Sequence, residues 1–351
     1  MPKTYNALYE QICEFNNLYL AYLKARQCKR YRREVLLFSR NVEEELLVLQ
    51  EELLTGAYKT GKYFRFTIYE PKRREISALP FRDRIVHHAI CNIIERLFEN
   101  KFIKDSYACR RLKGSHAGSA RLTEFLRRSR RMWGKVYCLQ ADVSKFFPSV
   151  DHDAMKSIIR KTIRCEKTLT LLDAIIDSVE TERGMPIGNL TSQIFANVYL
   201  NELDHFVKEK LQARFFIRYM DDFLILHHEK SQLHFWKMEI SSFMKRVLNL
   251  DLNPKTAIYP VNQGVDFLGY RTWATHKLLR KRNILNMKRK LRRLAGLYQK
   301  NLTNLESITP VIASWRGHAK HANSHNVVSR VLRSVSFSRN SVLSTVVYHD
   351  E

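Results

Sequence analysis

Two adjacent aspartates, Asp221 and Asp222, stand between two strongly apolar runs in "FFIRYMDDFLILHH", residues 215–228. Carboxylates placed side by side repel each other and are costly to bury, so they are expected at an exposed turn or beside a metal ion. The flanking runs are too apolar for a simple surface turn. The pattern therefore predicts a β-hairpin whose turn presents carboxylates to a divalent cation.

A third acid, Asp142, closes the strand-like run "KVYCLQAD". Phosphoryl transfer with two divalent ions about 4 Å apart requires several carboxylates that converge from different strands. Taken alone, Asp142 fits a helix-capping acid better than a metal ligand. Together with Asp221 and Asp222, it is better interpreted as a ligand on a neighbouring strand.

The charge balance indicates a polyanionic partner for this 351-residue chain. Lys and Arg total 60 against 35 Asp and Glu, a formal net charge of +25. Basic surfaces gain affinity by displacing counterions from phosphates, which favours nucleic acid. A membrane surface would also attract this charge, but the sequence has no apolar run of about 18 residues and no signal pattern. We expect a cytoplasmic protein without a membrane partner, whose six dispersed cysteines are buried, reduced thiols.

The elements that must position the acids follow from periodicity. The first 55 or so residues are predicted to be helical, with a stop at Gly56. A hairpin with a charged turn at residues 71–74 follows, and then two helices, "FRDRIVHHAICNIIERLFENKF" and "AGSARLTEFLRRSRRMW". The central part alternates strands and helices up to about residue 275, and the pattern beyond it is helical.

The densest positive charge lies in residues 277–300, which contain ten Lys or Arg and no acid. Apolar residues recur there at spacings of three and four: Ile284, Met287, Leu291, Leu294 and Tyr298. One seam should pack while the other face stays cationic. Such a run is usually a solvated face; a helix that grips a nucleic-acid duplex would explain both features.

An ordered set of motifs resembles the reverse transcriptases. "YMDD", "ADVSKFFPSVDH" and "GMPIGNLTSQIFANVYLNELDHFV" resemble the palm of these enzymes, and "LNPKT" and "VDFLGY" resemble its last two motifs. "EISALPFRDRIVHHAI" and "DSYACRRLKGSHA" resemble the fingers motifs of retron, group II intron and related bacterial enzymes. "SWRGHAKHAN" is similar to a thumb segment. The resemblance covers about residues 60 to 275; YxDD alone would be weak, whereas the ordered set is specific.

This resemblance implies an α+β fold shaped like a right hand. Residues 1–60 would form the N-terminal helical part of the fingers, and residues 61–275 the fingers and palm, with an antiparallel RRM-like sheet plus helices. Residues 276–351 would form a basic helical thumb. The implied activity is RNA-directed DNA polymerisation by two-metal nucleotidyl transfer. Because the chain stops at residue 351, the DNA-binding and endonuclease domains of group II intron proteins are not expected.

The resemblance also assigns the metal-binding and catalytic residues. Asp142 and Asp221 would bind two Mg²⁺ ions, for which Mn²⁺ could substitute, with Asp222 in support and the carbonyl of Val143 as a further ligand. Lys255 would protonate the leaving pyrophosphate.

Other residues are assigned to the nucleotide and to the template and primer. Those expected near the dNTP are Lys72, Arg73 and Arg74 at the triphosphate, Phe147 at the sugar, and Ile187 and Gly188 at the nascent base pair. Those expected at the template or primer are Arg110, Arg111, Lys113, Gln193, Tyr219 and Met220. Structural alternatives remain for several of them: a solvated turn for the cations, a core side chain for Phe147 or Ile187, and a plain turn glycine for Gly188.

One segment indicates a subtype. In "PIGNLTSQ", Ile187 and Gln193 stand where most relatives have Gln and Ser-Pro, a pattern similar to that of diversity-generating retroelements of bacteria and phages. Such enzymes copy a template repeat RNA with errors opposite adenines, and the cDNA diversifies a target gene. The implied partners are the template RNA, the RNA–cDNA duplex, dNTPs and a small basic oligomeric accessory protein. A retron or phage-defence enzyme is the alternative, and an RNA-binding scaffold is the non-enzymatic one.

Overall fold

The computed structural model describes residues 4–69, 73–179 and 181–339. Two compact units divide the chain. The first comprises residues 1–118 and 137–259, and the second comprises residues 119–136 and 260–351.

The first unit begins with helices, as predicted. They are α1 (Tyr9–Cys13), α2 (Phe15–Ala25), α3 (Arg33–Arg40) and α4 (Val42–Thr55). Helix α4 ends at Gly56, whose φ of +74° and N–H bond to the Leu53 carbonyl form a left-handed cap that glycine adopts readily. Leu46, Leu49 and Leu53 are fully buried, so α4 is held by one apolar seam.

The predicted hairpin is confirmed by strands β1 (Phe64–Ile68) and β2 (Arg74–Ala78), which pair antiparallel from Phe64 opposite Ala78 to Ile68 opposite Arg74. Helices α5 (Phe81–Glu99) and α6 (Ser115–Trp133) follow, also as predicted. Helix α5 fully buries Ile85 and Ala89.

Helix α6 leaves the first unit within its first turn, since the second unit starts at residue 119. It buries Leu122, Phe125 and Leu126. Within the second unit, Arg127 donates to the Ala274 carbonyl (3.0 Å), and Lys277 donates to the Ser119 hydroxyl (3.1 Å).

The central sheet starts with β3 (Tyr137–Asp142), followed by helices α7 (Phe146–Ser149), α8 (His152–Arg160), α9 (Glu166–Ile176) and α10 (Leu190–His205). The remaining strands are β4 (Phe215–Tyr219), β5 (Asp222–His227) and, after helix α11 (Lys230–Leu248), β6 (Ala257–Pro260). Their order is β4-β5-β3-β6, with β5 antiparallel to both of its neighbours. The apolar runs noted in the sequence are therefore two buried strands, β4 at one end of the strand order and β5 inside it.

The second unit contains a three-stranded sheet of β7 (Val265–Phe267), β8 (Tyr270–Thr272) and β9 (Lys277–Leu279), and helices α12 (Lys281–Gln299), α13 (Leu305–Ala319) and α14 (His325–Arg333). The expectation of helix from residue 277 onward was wrong at its start, because residues 277–279 pair with β8. Helix α12 packs through Met287 and Leu291, as predicted. The α+β fold class is confirmed, and no helix in the described ranges is long and apolar enough to cross a membrane.

Candidate active site

A two-residue turn carries the first acid of the site. Tyr219 pairs with Asp222, so Met220 and Asp221 alone connect β4 to β5. Met220 has a φ of +55°, and two-residue hairpins of types I′ and II′ require a positive φ at this position. A side chain there is strained, so the turn needs support from its surroundings.

The second and third acids lie across the strand pair. Asp142 is the cross-strand partner of Asp222, and directly opposed residues of antiparallel strands project to the same face of the sheet. The Asp221 carboxyl is close enough to Asp142 for the charge of Asp142 to raise its pKa. The structure thus brings the three predicted acids to one end of β3 and β5.

Three carboxylates lie close together at this end of the sheet. Burial, followed by the charges of Asp142 and Asp222, raises the pKa of Asp221 to about 6. Like charges in a partly desolvated site favour a shared proton or a bound cation. In a protein of net charge +25, this local group of acids is the candidate site for a cation.

The donor chemistry fits magnesium. Within the described residues, no group of three or more His, Cys, Asp or Glu side chains could hold an ion by itself. Mg²⁺ is usually held by one or two carboxylates, while water and substrate phosphates complete its shell. Asp142 and Asp221 supply such a pair, and the carbonyl of Val143 is a further oxygen donor next along the chain. The residues therefore fit a metal that is shared with its substrate.

A buried arginine supports the strained turn. Arg218, at 0% exposure, donates from Nε and Nη2 to the two carboxylate oxygens of Asp204, both at 2.6 Å. Its Nη1 donates to the Met220 carbonyl at 3.0 Å and to Asn197 Oδ1 at 3.3 Å. The ion pair ties the turn to α10. Sequence reasoning missed Arg218, although an arginine inside an apolar strand was a signal.

Asn253 holds Asp142 in place. Its Nδ2 donates to Asp142 Oδ2 (3.2 Å), and its main-chain N–H donates to the Asp142 carbonyl (2.8 Å). Its Oδ1 accepts from the N–H of Lys255 (3.0 Å), which links the acid to the turn that bears the predicted proton donor. The Lys255 side chain is exposed. Asn253 was also missed; its signal was the Asn-Pro turn.

The hairpin β1–β2 contacts the "PIGN" segment. The N–H of Ser77 donates to the Ile187 carbonyl at 2.9 Å. Gly188 has a φ of +134°, and a Cβ there would lie 2.6 Å from the Ser77 carbonyl oxygen. Only glycine fits this approach. Arg73 and Arg74 are exposed near the tip of the same hairpin, whereas Lys72 lies outside the described residues.

Other predicted site residues have mixed surroundings. Phe147 is half-buried and packs edge-to-face on Phe146, with ring centroids 5.3 Å apart, so its role at the sugar stays a prediction. Gln193 is exposed on α10, while Tyr219 and Met220 are half-buried at the turn. These three assignments also stay predictions.

The basic loop after α5 is tied to the protein itself. Arg110, with a side chain only 6% exposed, donates to the Glu99 carboxylate and to the carbonyls of Ile103 and Ser106. Lys113 donates to the Lys104 carbonyl at 2.6 Å, whereas Arg111 is 77% exposed, 3.5 Å from Glu95. Of the three predicted template contacts, the structure leaves Arg111 most accessible and engages Arg110 in holding the loop.

Comparisons with known proteins match the chain to one family and to several relatives. A family model described as "Reverse transcriptase (RNA-dependent DNA polymerase)" matches residues 66–272. Protein YkfC of Escherichia coli K12 is 28% identical over 284 residues, which cover 68% of this chain and 72% of YkfC. The group II intron-encoded protein LtrA of Lactococcus lactis is 24% identical over 201 residues, 53% of this chain, and the match spans only 33% of LtrA. A truncated apo telomerase from Candida tropicalis superposes with a TM-score of 0.46 at 14% identity, over 64% of this chain and 54% of that one.

Proposed function

Because the chain belongs to the reverse transcriptase family, we propose that it copies a template repeat RNA into cDNA with frequent errors opposite adenine, for the diversification of a target gene in a bacterium or phage. The observation that carries the polymerase part is the convergence of Asp142, Asp221 and Asp222 at adjoining strand ends. In this proposal residues 1–60 belong to the fingers, residues 61–275 form fingers and palm, and residues 276–351 form the thumb.

The acids have separate tasks in this proposal. Asp142 and Asp221, with the Val143 carbonyl, hold two magnesium ions, and Asp222 adds negative charge beside them. Bound metal supplies activation of the attacking hydroxyl and stabilisation of the leaving group. Asn253 keeps Asp142 aimed at the site, Arg218 keeps the turn in its strained conformation, and Lys255 delivers a proton to the pyrophosphate.

Substrates are placed by the surrounding residues. The set assigned to the dNTP is Lys72, Arg73, Arg74, Phe147, Ile187 and Gly188; the set assigned to template and primer is Arg111, Lys113, Gln193, Tyr219 and Met220. Cationic side chains neutralise the negative charge of the triphosphate as pyrophosphate leaves. Arg73 and Arg74 are exposed, which suits them to bind the phosphates.

The subtype rests on Ile187. A glutamine amide beside the incoming nucleotide could hydrogen-bond to it and help fix its position, and an isoleucine cannot. Ile187 is half-buried, and its carbonyl is held by Ser77, which supports a fixed apolar side chain at this point. Pairing geometry is then selected less tightly, as a mutagenic polymerase requires.

An accessory protein with basic charge also fits the chain. Helix α4 carries five glutamates and no Lys or Arg, although the chain as a whole is strongly basic. Leu47, Val48 and Leu54 of this helix are each more than half exposed. A face that is both apolar and acidic suits a partner with basic and apolar side chains.

The test compares Ile187→Gln with Ile187→Leu on an RNA template. We expect the glutamine variant to lower misincorporation opposite template adenine several-fold, and the leucine variant to keep the original error spectrum because it adds no amide. Measurement is by single-nucleotide incorporation and by sequencing of the cDNA. Identical error spectra for the glutamine variant and the original protein would refute the mutagenic assignment.

A second candidate is reverse transcription of an intron or retron RNA, favoured by the likeness to an intron-encoded protein. The genomic neighbourhood distinguishes the two. A pair of repeats that differ mainly at adenines supports diversification, and a structured noncoding RNA without such repeats supports the second candidate.

A further inference from the structure

Tyr63, just before β1, forms a partly buried hydrogen-bond chain that the catalytic assignment does not use. Its hydroxyl lies 2.7 Å from Ser178 Oγ and 2.9 Å from Asn189 Nδ2. The Ser178 hydroxyl donates to the Ile175 carbonyl (2.6 Å), so its single proton is already committed. Tyr63 therefore donates to Ser178 and accepts from Asn189.

The same segment is held at a second point. Ile187 accepts from the N–H of Ser77 on β2, and Gly188 lies against the Ser77 carbonyl. Residues 187–189 are thus attached to the hairpin through Tyr63 on one side and Ser77 on the other. Any displacement of the hairpin must displace the main chain of Ile187 and Gly188.

Burial makes this attachment specific. Asn189 is only 5% exposed, and burial raises the pKa of Tyr63. A buried amide that loses its acceptor pays the full cost of desolvation, and a fully satisfied buried network favours one geometry over close alternatives. The chain of bonds is therefore suited to set position as well as to add stability.

We propose that Tyr63 is a specificity-determining positioning residue. Its hydroxyl, acting through Asn189, fixes the main chain of Ile187 and Gly188 against the hairpin β1–β2 and so sets how closely the site selects the incoming nucleotide. This inference rests on the proposed function, because it takes residues 187 and 188 to lie beside the nascent base pair. In this role Tyr63 acts through Asn189 and not on the substrate itself.

The experiment removes one partner of the chain of bonds at a time. Tyr63→Phe deletes the acceptor of Asn189 and the donor to Ser178, and Asn189→Ala deletes the other partner. Tyr58→Phe is the matched control: its hydroxyl donates to Asp83 at 2.7 Å, in the same unit and with no bond to residues 187–189. For each variant, kcat and KM are measured for correct and incorrect dNTPs opposite all four template bases, together with the melting temperature.

We expect Tyr63→Phe and Asn189→Ala to raise the ratio of incorrect to correct kcat/KM by about threefold to tenfold, the range that one net hydrogen bond provides. The lower kcat/KM for the correct dNTP should come from a higher KM at all template bases, while kcat stays within about twofold of that of the original protein. Tyr58→Phe should lower the melting temperature similarly without a change in the ratio.

The outcomes separate this inference from the proposed function. If Tyr63→Phe only lowers the melting temperature, as Tyr58→Phe is expected to do, and leaves the misincorporation ratio unchanged, the chain of bonds is structural. The inference is then overturned, whatever Ile187→Gln does. If Tyr63→Phe shifts the ratio while Ile187→Gln has no effect, the positioning role is supported and the mutagenic role of Ile187 fails. If neither variant alters selection, both ideas are refuted.

Discussion

Asp221→Asn should make the metal-free protein more stable while it removes polymerase activity. Burial and the neighbouring acids raise the pKa of Asp221 to about 6, from an ordinary 3.8, and each pKa unit corresponds to about 1.4 kcal/mol. Holding this carboxyl ionised at pH 8 therefore costs up to about 3 kcal/mol. An asparagine avoids the charge but must still pair its amide, so we expect a net gain of about 1–3 kcal/mol in the free energy of unfolding.

The pH dependence has a definite sign. The folded protein binds the Asp221 proton more tightly than the unfolded chain does. The stabilisation of the folded state by this proton is therefore fully present below about pH 4 and is lost as the pH rises through about 6. The advantage of Asp221→Asn over the original protein should therefore be largest at pH 8 and vanish near pH 4.

Urea denaturation in EDTA at pH 4.5, 6 and 8 measures this difference. Asp153→Asn, which neutralises an exposed acid in the first turn of α8, is the control and should change stability by only a few tenths of a kcal/mol. Magnesium should stabilise the original protein and not Asp221→Asn, since ligands stabilise the state that binds them. A variant that is destabilised to the same extent at every pH would refute the electrostatic account of the site.

Two further predictions concern the support of the turn and the basic helix. Arg218→Met leaves Asp204 buried without its partner and should cost about 3–5 kcal/mol in urea denaturation; adding Asp204→Leu should recover most of the stability but not the activity, because the Met220 carbonyl still lacks its donor. Full activity of that double variant would contradict the positioning role. Replacing the exposed Arg289, Arg292 and Arg293 of α12 with Gln should weaken the salt dependence of nucleic-acid binding. The slope of log Kd against log salt should fall by about 0.7–0.9 for each phosphate that is no longer neutralised. The same changes at the exposed Arg30, Arg32 and Arg33 are the control and should leave the slope unaltered.

The sequence predicted the helices and strands better than the side-chain pairs that support the site. Periodicity and turn residues located α4, the hairpin β1–β2, α5, and the strand pair around the acids, because each of these patterns is local. The strand β9 was mistaken for helix since three residues carry too short a pattern, and pairing with β8 decides their conformation.

The supporting residues of the site could not be identified in the same way. Tyr63 and Asn189 are 126 positions apart, and Asn253 and Asp142 are 111 apart. No periodic pattern in one strand or helix identifies such pairs, because only the tertiary fold brings them together. For Arg110, the residue type suggested a contact with the template backbone. In the structure its guanidinium donates to Glu99 and to two main-chain carbonyls instead.

The discontinuous second unit has a consequence for how the chain is made. Helix α6 is translated well over a hundred residues before the strands and helices that complete its unit, so its bonds to Ala274 and Lys277 cannot form until then. A nascent chain at that stage presents a basic helix without these two bonds, a surface that RNA could bind during synthesis. The C-terminal region accordingly cannot be excised at residue 260 as an independent fragment, since it would lack one of its own helices, and a protein reduced to the first unit would need residues 119–136 replaced by a short linker.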